Sequence, residues 1–163
     1  IEELNRECLE KIEYCKKKNE QNKLIYQINI ENAKKGDEKA QYVIGYMYHK
    51  GKGVPKNYVK AADWYKKAAE HKNTKALNNL AYLYQKGKGV NKDIHKAEQL
   101  LLKSAKQGDD VACLNLGILY QTGKLGTANM EDAEYWYRKA MDKGNPTATR
   151  IYRRIQSMEQ KEN

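Results

Sequence analysis

The sequence predicts an all-α solenoid of stacked helix–turn–helix repeats, each 36 residues long, in a single domain spanning residues 1–163. Three observations carry that expectation. At an offset of 36 residues the chain aligns with itself without gaps over 40–75, 76–111 and 112–147. In the first full unit apolar residues fall at i, i+3, i+4, i+7 and i+8 of each helix, the spacing of one helix face. Asn or Asp also returns at two fixed positions, where a short side-chain oxygen can cap the free amides of a first helical turn.

The elements follow in order. Residues 4–39 fit the frame in degenerate form. Leu4, Cys8, Ile12 and Cys15 stand where a first helix would bury its stripe, Leu24, Ile25 and Ile28 would open a second, and Ala33 equates with Ala69. The connecting stretch KKKNEQNK lacks glycine, so this segment reads as a degenerate repeat or a cap. The first full unit places helix A over 38–50, with Ala40, Val43, Ile44, Met47 and Tyr48 on one stripe, and helix B over 58–71, with Ala61, Trp64, Tyr65, Ala68 and Ala69. Asp37, Asn73, Asp109 and Asn145 would cap the A helices and the last helix; Asn57, Asp93 and Asn129 would cap the B helices. Gly36, Gly108 and Gly144 precede those caps as left-handed stops, with Lys72 in the same slot of the second unit. Small residues at Gly45, Ala81 and Gly117 let the paired helices approach closely. After 147 a solvated capping helix is expected over 148–156, carrying Arg150, Arg153 and Arg154, with a frayed tail from about Ser157.

The repeated KGKGV stretches, 50–54 and 86–90, are turns in this frame. A phosphate-binding loop needs GxxxxGK followed by Ser or Thr, after a strand. Here valine follows the second glycine and a helix precedes.

The pattern AxxxIGxxYxxGxGVxxNxxKAxxWYxKAA over 40–69 resembles the Sel-1-like repeat, a relative of the tetratricopeptide repeat. The second unit has Leu100 and Leu101 in place of Trp–Tyr, and the third has Leu125 in place of the second loop glycine. The resemblance implies a right-handed α/α superhelix that acts as a scaffold or adaptor and brings no catalytic residues. Within that class, a bacterial host-directed effector and an immunity protein that caps a toxin are the variants.

In such solenoids the A helices line the concave face, so their variable positions are the candidate partner-binding surface. They are Tyr42, Tyr46, His49 and Lys50; Asn78, Asn79, Tyr82, Gln85 and Lys86; and Asn115, Ile118, Gln121 and Thr122. Asn amides offer donors and an acceptor to an extended peptide backbone, and Tyr gives rigid amphipathic contact area. The expected ligand is a polar or acidic peptide segment of a partner protein.

Charge supports an acidic partner. The chain carries 31 Lys and Arg against 21 Asp and Glu, a net +10. The excess concentrates in the first full unit, at Lys50, Lys52, Lys56, Lys60, Lys66, Lys67, Lys72 and Lys75. A basic patch of this kind also suits nucleic acid or an anionic membrane surface. It holds no Arg, the better phosphate and base reader, which argues against nucleic acid.

Enzyme chemistry finds little footing. His49, His71 and His95 occupy different slots, and no HxxxH, HExxH or CxxC is present, so neither a metal nor another cofactor is expected. Cys113 falls beside a packed stripe, where a quiet apolar role is expected. Cys8, Cys15 and Cys113 form no disulfide framework and lean towards a reducing compartment.

Overall fold

The computed structural model describes residues 2–162, with side chains for residue 6 and for 8–158. Among the described residues there are eight helices and no strands: α1 (Glu2–Lys34), α2 (Glu38–Lys50), α3 (Tyr58–Glu70), α4 (Thr74–Lys86), α5 (Ile94–Ala105), α6 (Asp110–Gln121), α7 (Met130–Asp142) and α8 (Pro146–Glu162). Each helix packs on the next in sequence, and α2 also touches α4 directly. A and B helices thus alternate as two layers of a solenoid, each burying a stripe it could not bury alone.

The caps form where Asn and Asp recur. Asp37, Asn73 and Asp109 accept from the amides of Ala40, Ala76 and Ala112 at the starts of α2, α4 and α6. Asn57, Asp93 and Asn129 do the same for α3, α5 and α7. Asn145 accepts from the Ala148 amide in α8. Each such cap contributes about 1 kcal/mol. In the slot held by Gly36, Gly108 and Gly144, all at positive φ, Lys72 adopts φ 64°.

Within each unit the A and B helices meet at a small residue. A Cβ on Gly45 would stand 2.7 Å from a ring carbon of Tyr65, and one on Gly117 would stand 2.5 Å from a ring carbon of Tyr137. The second unit makes the paired exchange, Ala81 with Leu101, and both are buried. Trp64 packs back against Ala33, Ala40, Ile44 and Met47, and so ties α3 to the preceding helices.

The structure differs from expectation in three places. First, residues 4–39 hold no helix–loop–helix: α1 is one 33-residue helix. Its C-terminal part packs on α2 through Tyr26, Ile30 and Ala33. Cys8, Ile12 and Cys15 are exposed rather than buried in a stripe, and the side chain of Leu4 lies outside the described residues. Leu24, Ile25 and Ile28 are exposed too. Nothing in KKKNEQNK breaks a helix, and its Lys, Glu and Gln favour one. Second, α8 continues beyond Ser157 to Glu162 instead of fraying. Third, the α6–α7 loop takes its own path: Leu125 is half-buried against the core and the positive φ moves to Gly126, at 134°.

Candidate partner-binding face

The A-helix residues singled out above fall into distinct environments. Tyr42, Tyr46 and Tyr65 form a run of rings, with centroids 6.3 Å apart for Tyr42–Tyr46 and 6.0 Å for Tyr42–Tyr65. The Tyr42 hydroxyl hydrogen-bonds the Asn79 side chain on the neighbouring A helix. Tyr82 stacks on the His49 ring at 5.8 Å, joining α2 to α4 a second time. Tyr82 and Ile118, one repeat apart, are 37% and 36% exposed, and Tyr46 is half-buried in the same column. Asn79 and Asn115 are half-buried beside that column.

Several of the named residues, His49, Asn78 and Gln121 among them, carry structural bonds instead of standing free on a surface. His49 is only 8% exposed. Its Nδ1 lies 3.2 Å from the hydroxyl of the fully buried Tyr65. Desolvation, then the charges of Lys50, Lys88 and Lys56, hold its pKa below the ordinary value. The expectation of His49 as a groove residue is therefore corrected: a core phenol needs a partner, and the imidazole supplies it. At the equivalent position the Tyr137 hydroxyl donates to Oε1 of Gln121 at 2.6 Å. Asn78 donates to Oδ1 of Asp109 at 2.9 Å, so it fastens α4 to the cap of α6 rather than facing a groove. In the second unit Leu101 has no hydroxyl, and Gln85 keeps its amide free of that duty.

The basic patch divides in two. Lys60, Lys66 and Lys67 project from α3: Lys60 lies over Tyr48, Lys66 pairs with Asp63 at 3.5 Å, and Lys67 covers Trp64 at 4.3 Å. Lys50, Lys52 and Lys56 instead sit at the loop end, over Tyr46 and Tyr58. There they are joined by Lys88, whose ammonium stands 5.2 Å from the Tyr58 centroid and 3.4 Å from the Tyr82 hydroxyl. Sequence reasoning missed Lys88, Lys92 and Lys124 because it summed charge unit by unit. The signal was present, since Lys52, Lys88 and Lys124 are equivalent at the repeat offset.

Among the described residues no group of His, Cys, Asp and Glu could hold a metal ion, and no helix is long and apolar enough to cross a membrane. Burial pushes the Cys113 thiol up, away from thiolate character.

Comparison with known proteins gives a consistent picture. The Sel1 repeat family model matches three times, at residues 38–73, 74–109 and 110–145. The repeat length is the one read from the sequence, framed two residues earlier. Chitin synthase regulator SKT5 of Saccharomyces cerevisiae is 40% identical over 53 residues, which is 32% of this chain and 8% of that protein. The crystal structure of a Sel1 repeat protein from Oxalobacter formigenes superposes with a TM-score of 0.65 at 38% identity, over 72% of this chain and 47% of that one. A protective antigen of uropathogenic Escherichia coli with an SLR fold gives 0.72 at 31% identity, over 78% of this chain and 27% of the other. The chain thus spans less than half the length of each of these three proteins. Cysteine rich protein B of Helicobacter pylori shares the fold, with a TM-score of 0.63 at 24% identity over 82% of this chain and 96% of that one. Sel1 repeat proteins are generally protein–protein interaction scaffolds. With more than half of its length matched by three consecutive repeats, the chain belongs to the Sel1 repeat family.

Proposed function

We propose that the chain is a non-enzymatic interaction scaffold that binds an extended, polar or acidic segment of a partner protein on the surface lined by α2, α4 and α6. One observation carries the reading: Tyr46, Tyr82 and Ile118 form a partly exposed column that repeats every 36 residues, flanked by the half-buried amides of Asn79 and Asn115. The direct packing of α2 on α4 supports these helices as the inner layer of the curve. A stacked, preorganised surface binds with little ordering cost. The name of the yeast relative, a regulator of a synthase, suits a protein that works by engaging another. Burial is the main cause that raises the Cys113 thiol pKa and lowers the His49 imidazole pKa, as expected of packed side chains.

The test is affinity capture from nuclease-treated lysate of the source cells, comparing wild type with an Asn79→Ala, Asn115→Ala double variant of matched thermal stability. A discrete protein captured by wild type and lost from the double variant is expected. Equal capture by both discards this face.

A further inference from the structure

A cavity of about 410 Å³ opens at the loop end of the solenoid, lined by Gln85, Lys86, Lys92, Ile94 and Lys124. Subtracting one repeat from each number gives His49, Lys50, Lys56, Tyr58 and Lys88. Those five residues also converge in space. The His49 and Tyr58 rings meet at 5.5 Å, and Lys50, Lys88 and Lys56 are the three cations that act on the His49 imidazole. The Lys56 and Lys88 ammoniums stand 5.7 and 5.2 Å from the Tyr58 centroid. The same three-lysine arrangement therefore occurs twice, each time with two lysines from one loop and one from the next.

None of these six lysines is ion-paired to a carboxylate among the described residues, whereas Lys17, Lys34 and Lys66 are. Three like charges gathered without a counterion raise the local potential and favour an incoming anion. The arrangement also stops after two copies. The preceding frame has Glu13, Tyr14 and Glu20 at the first three positions of the set, and the following frame has Gln121, Thr122 and Ala128. Two pockets suit a ligand with two anionic groups better than a polyanion running the length of the molecule. Lysine offers a compact point charge rather than a planar fork, so each pocket accepts a small anionic group, a peptide carboxylate among them.

Neighbouring helices in one layer lie about 10 Å apart. An extended peptide covers that distance in about three residues. We propose that the two lysine pockets each take one carboxylate of an extended acidic peptide whose acidic residues are three positions apart. That the ligand is a peptide rests on the scaffold reading above; the pockets lie at the loop edge and do not use Asn79 or Asn115.

The probe is a fluorescein-labelled peptide of otherwise neutral residues carrying two glutamates three apart, measured by anisotropy on the whole chain. Lys88→Gln and Lys124→Gln should each weaken binding roughly two- to fivefold, the range of single exposed ion pairs. Their effects should multiply, and Lys66→Gln on α3 should leave binding unchanged. Moving the two glutamates to adjacent positions should cost as much as losing one pocket. The His49 ring proton resonance should move on binding in wild type, and in Lys88→Gln the same movement should need roughly two- to fivefold more peptide. Equal weakening by Lys66→Gln would reduce the effect to net charge and overturn the pockets, as would insensitivity to glutamate spacing. A duplex oligonucleotide that displaces the peptide and binds more tightly would overturn the ligand class. Asn79→Ala with Asn115→Ala should retain the probe peptide. If that variant keeps both probe and cellular partner while the lysine variants lose them, the pockets stand and the inner-face reading falls. If the lysine variants bind the probe as wild type does, the pockets fall whatever the inner face binds.

Discussion

His49 shows how one side chain joins packing to charge. Its ring touches Tyr58, Tyr65 and Tyr82, its Nδ1 faces the Tyr65 hydroxyl, and Lys50, Lys56 and Lys88 surround it. Burial raises the Tyr65 hydroxyl pKa well above the ordinary value, so the phenol keeps its proton beside a neutral imidazole, and the imidazole tautomer sets which of the two donates. The His49 pKa lies below its ordinary 6.5 in the folded chain, so the unfolded state takes up a proton first as pH falls. The contribution of His49 is thus complete above 6.5 and is lost as pH drops from there to its lower folded value. Thermal melts from pH 8 to 5 should show wild type losing stability across that window. His49→Gln, which copies Gln85 and Gln121, should lose less, and identical slopes for the two proteins would refute the assignment. A clue to this role was present in the sequence. Tyr65 and Tyr137 each stand 16 residues after His49 and Gln121, whereas Gln85 is followed at that distance by Leu101. Helix periodicity alone put His49 on an outward stripe because it does not register that a buried phenol needs a partner.

At the scale of elements, the loops dock on helices of the preceding unit. A Cβ on Gly89 would lie 2.2 Å from the Tyr58 carbonyl carbon, and one on Gly53 would lie 2.6 Å from that of Asn22, one repeat earlier. Both glycines also hold φ near +70°. Gly89→Ala therefore combines a left-handed penalty with a backbone clash, and should destabilise by about 3 kcal/mol. Gly36→Ala meets open space at φ +98° and should cost only about 1 kcal/mol. Chemical denaturation of the two variants checks the difference, and equal losses would mean that the loop does not seat on α3. The same geometry explains what was legible about α1. Asn22 occupies the place of Tyr58, so the C-terminal part of α1 is the B helix of the repeat frame, and the equivalence of Ala33 with Ala69 was visible in the sequence. The absence of a separate A helix was not, because degenerate apolar spacing fits a straight helix as well as a broken one. The missing glycine in KKKNEQNK, with its helix-favouring Lys, Glu and Gln, pointed to continuity. The third loop was marked by Leu125, but its new path depends on the core that receives that side chain.

For the whole molecule, a solenoid's stability is close to a sum over neighbouring units, so each segment matters in proportion to what it touches. The eight helices differ sharply in this respect. Residues 8–21 of α1 are exposed, whereas Tyr26, Ile30 and Ala33 complete the packing around α2. Deleting residues 1–18 should leave the unfolding midpoint within about 2 °C of the full chain, because every described side chain among them is exposed. Deleting residues 1–36 should lower it by several times that, since Ile44, Met47 and Trp64 then face water on one side. The shorter deletion also tests what the arm does in solution. A midpoint that falls on removing 1–18, with the gap to the full chain widening as protein concentration rises, would mean that a second copy covers Leu9, Ile12 and Tyr14 by mass action. A midpoint independent of both deletion and concentration would leave the arm as a free helix, with the stack from residue 22 onward carrying the stability and both candidate binding regions.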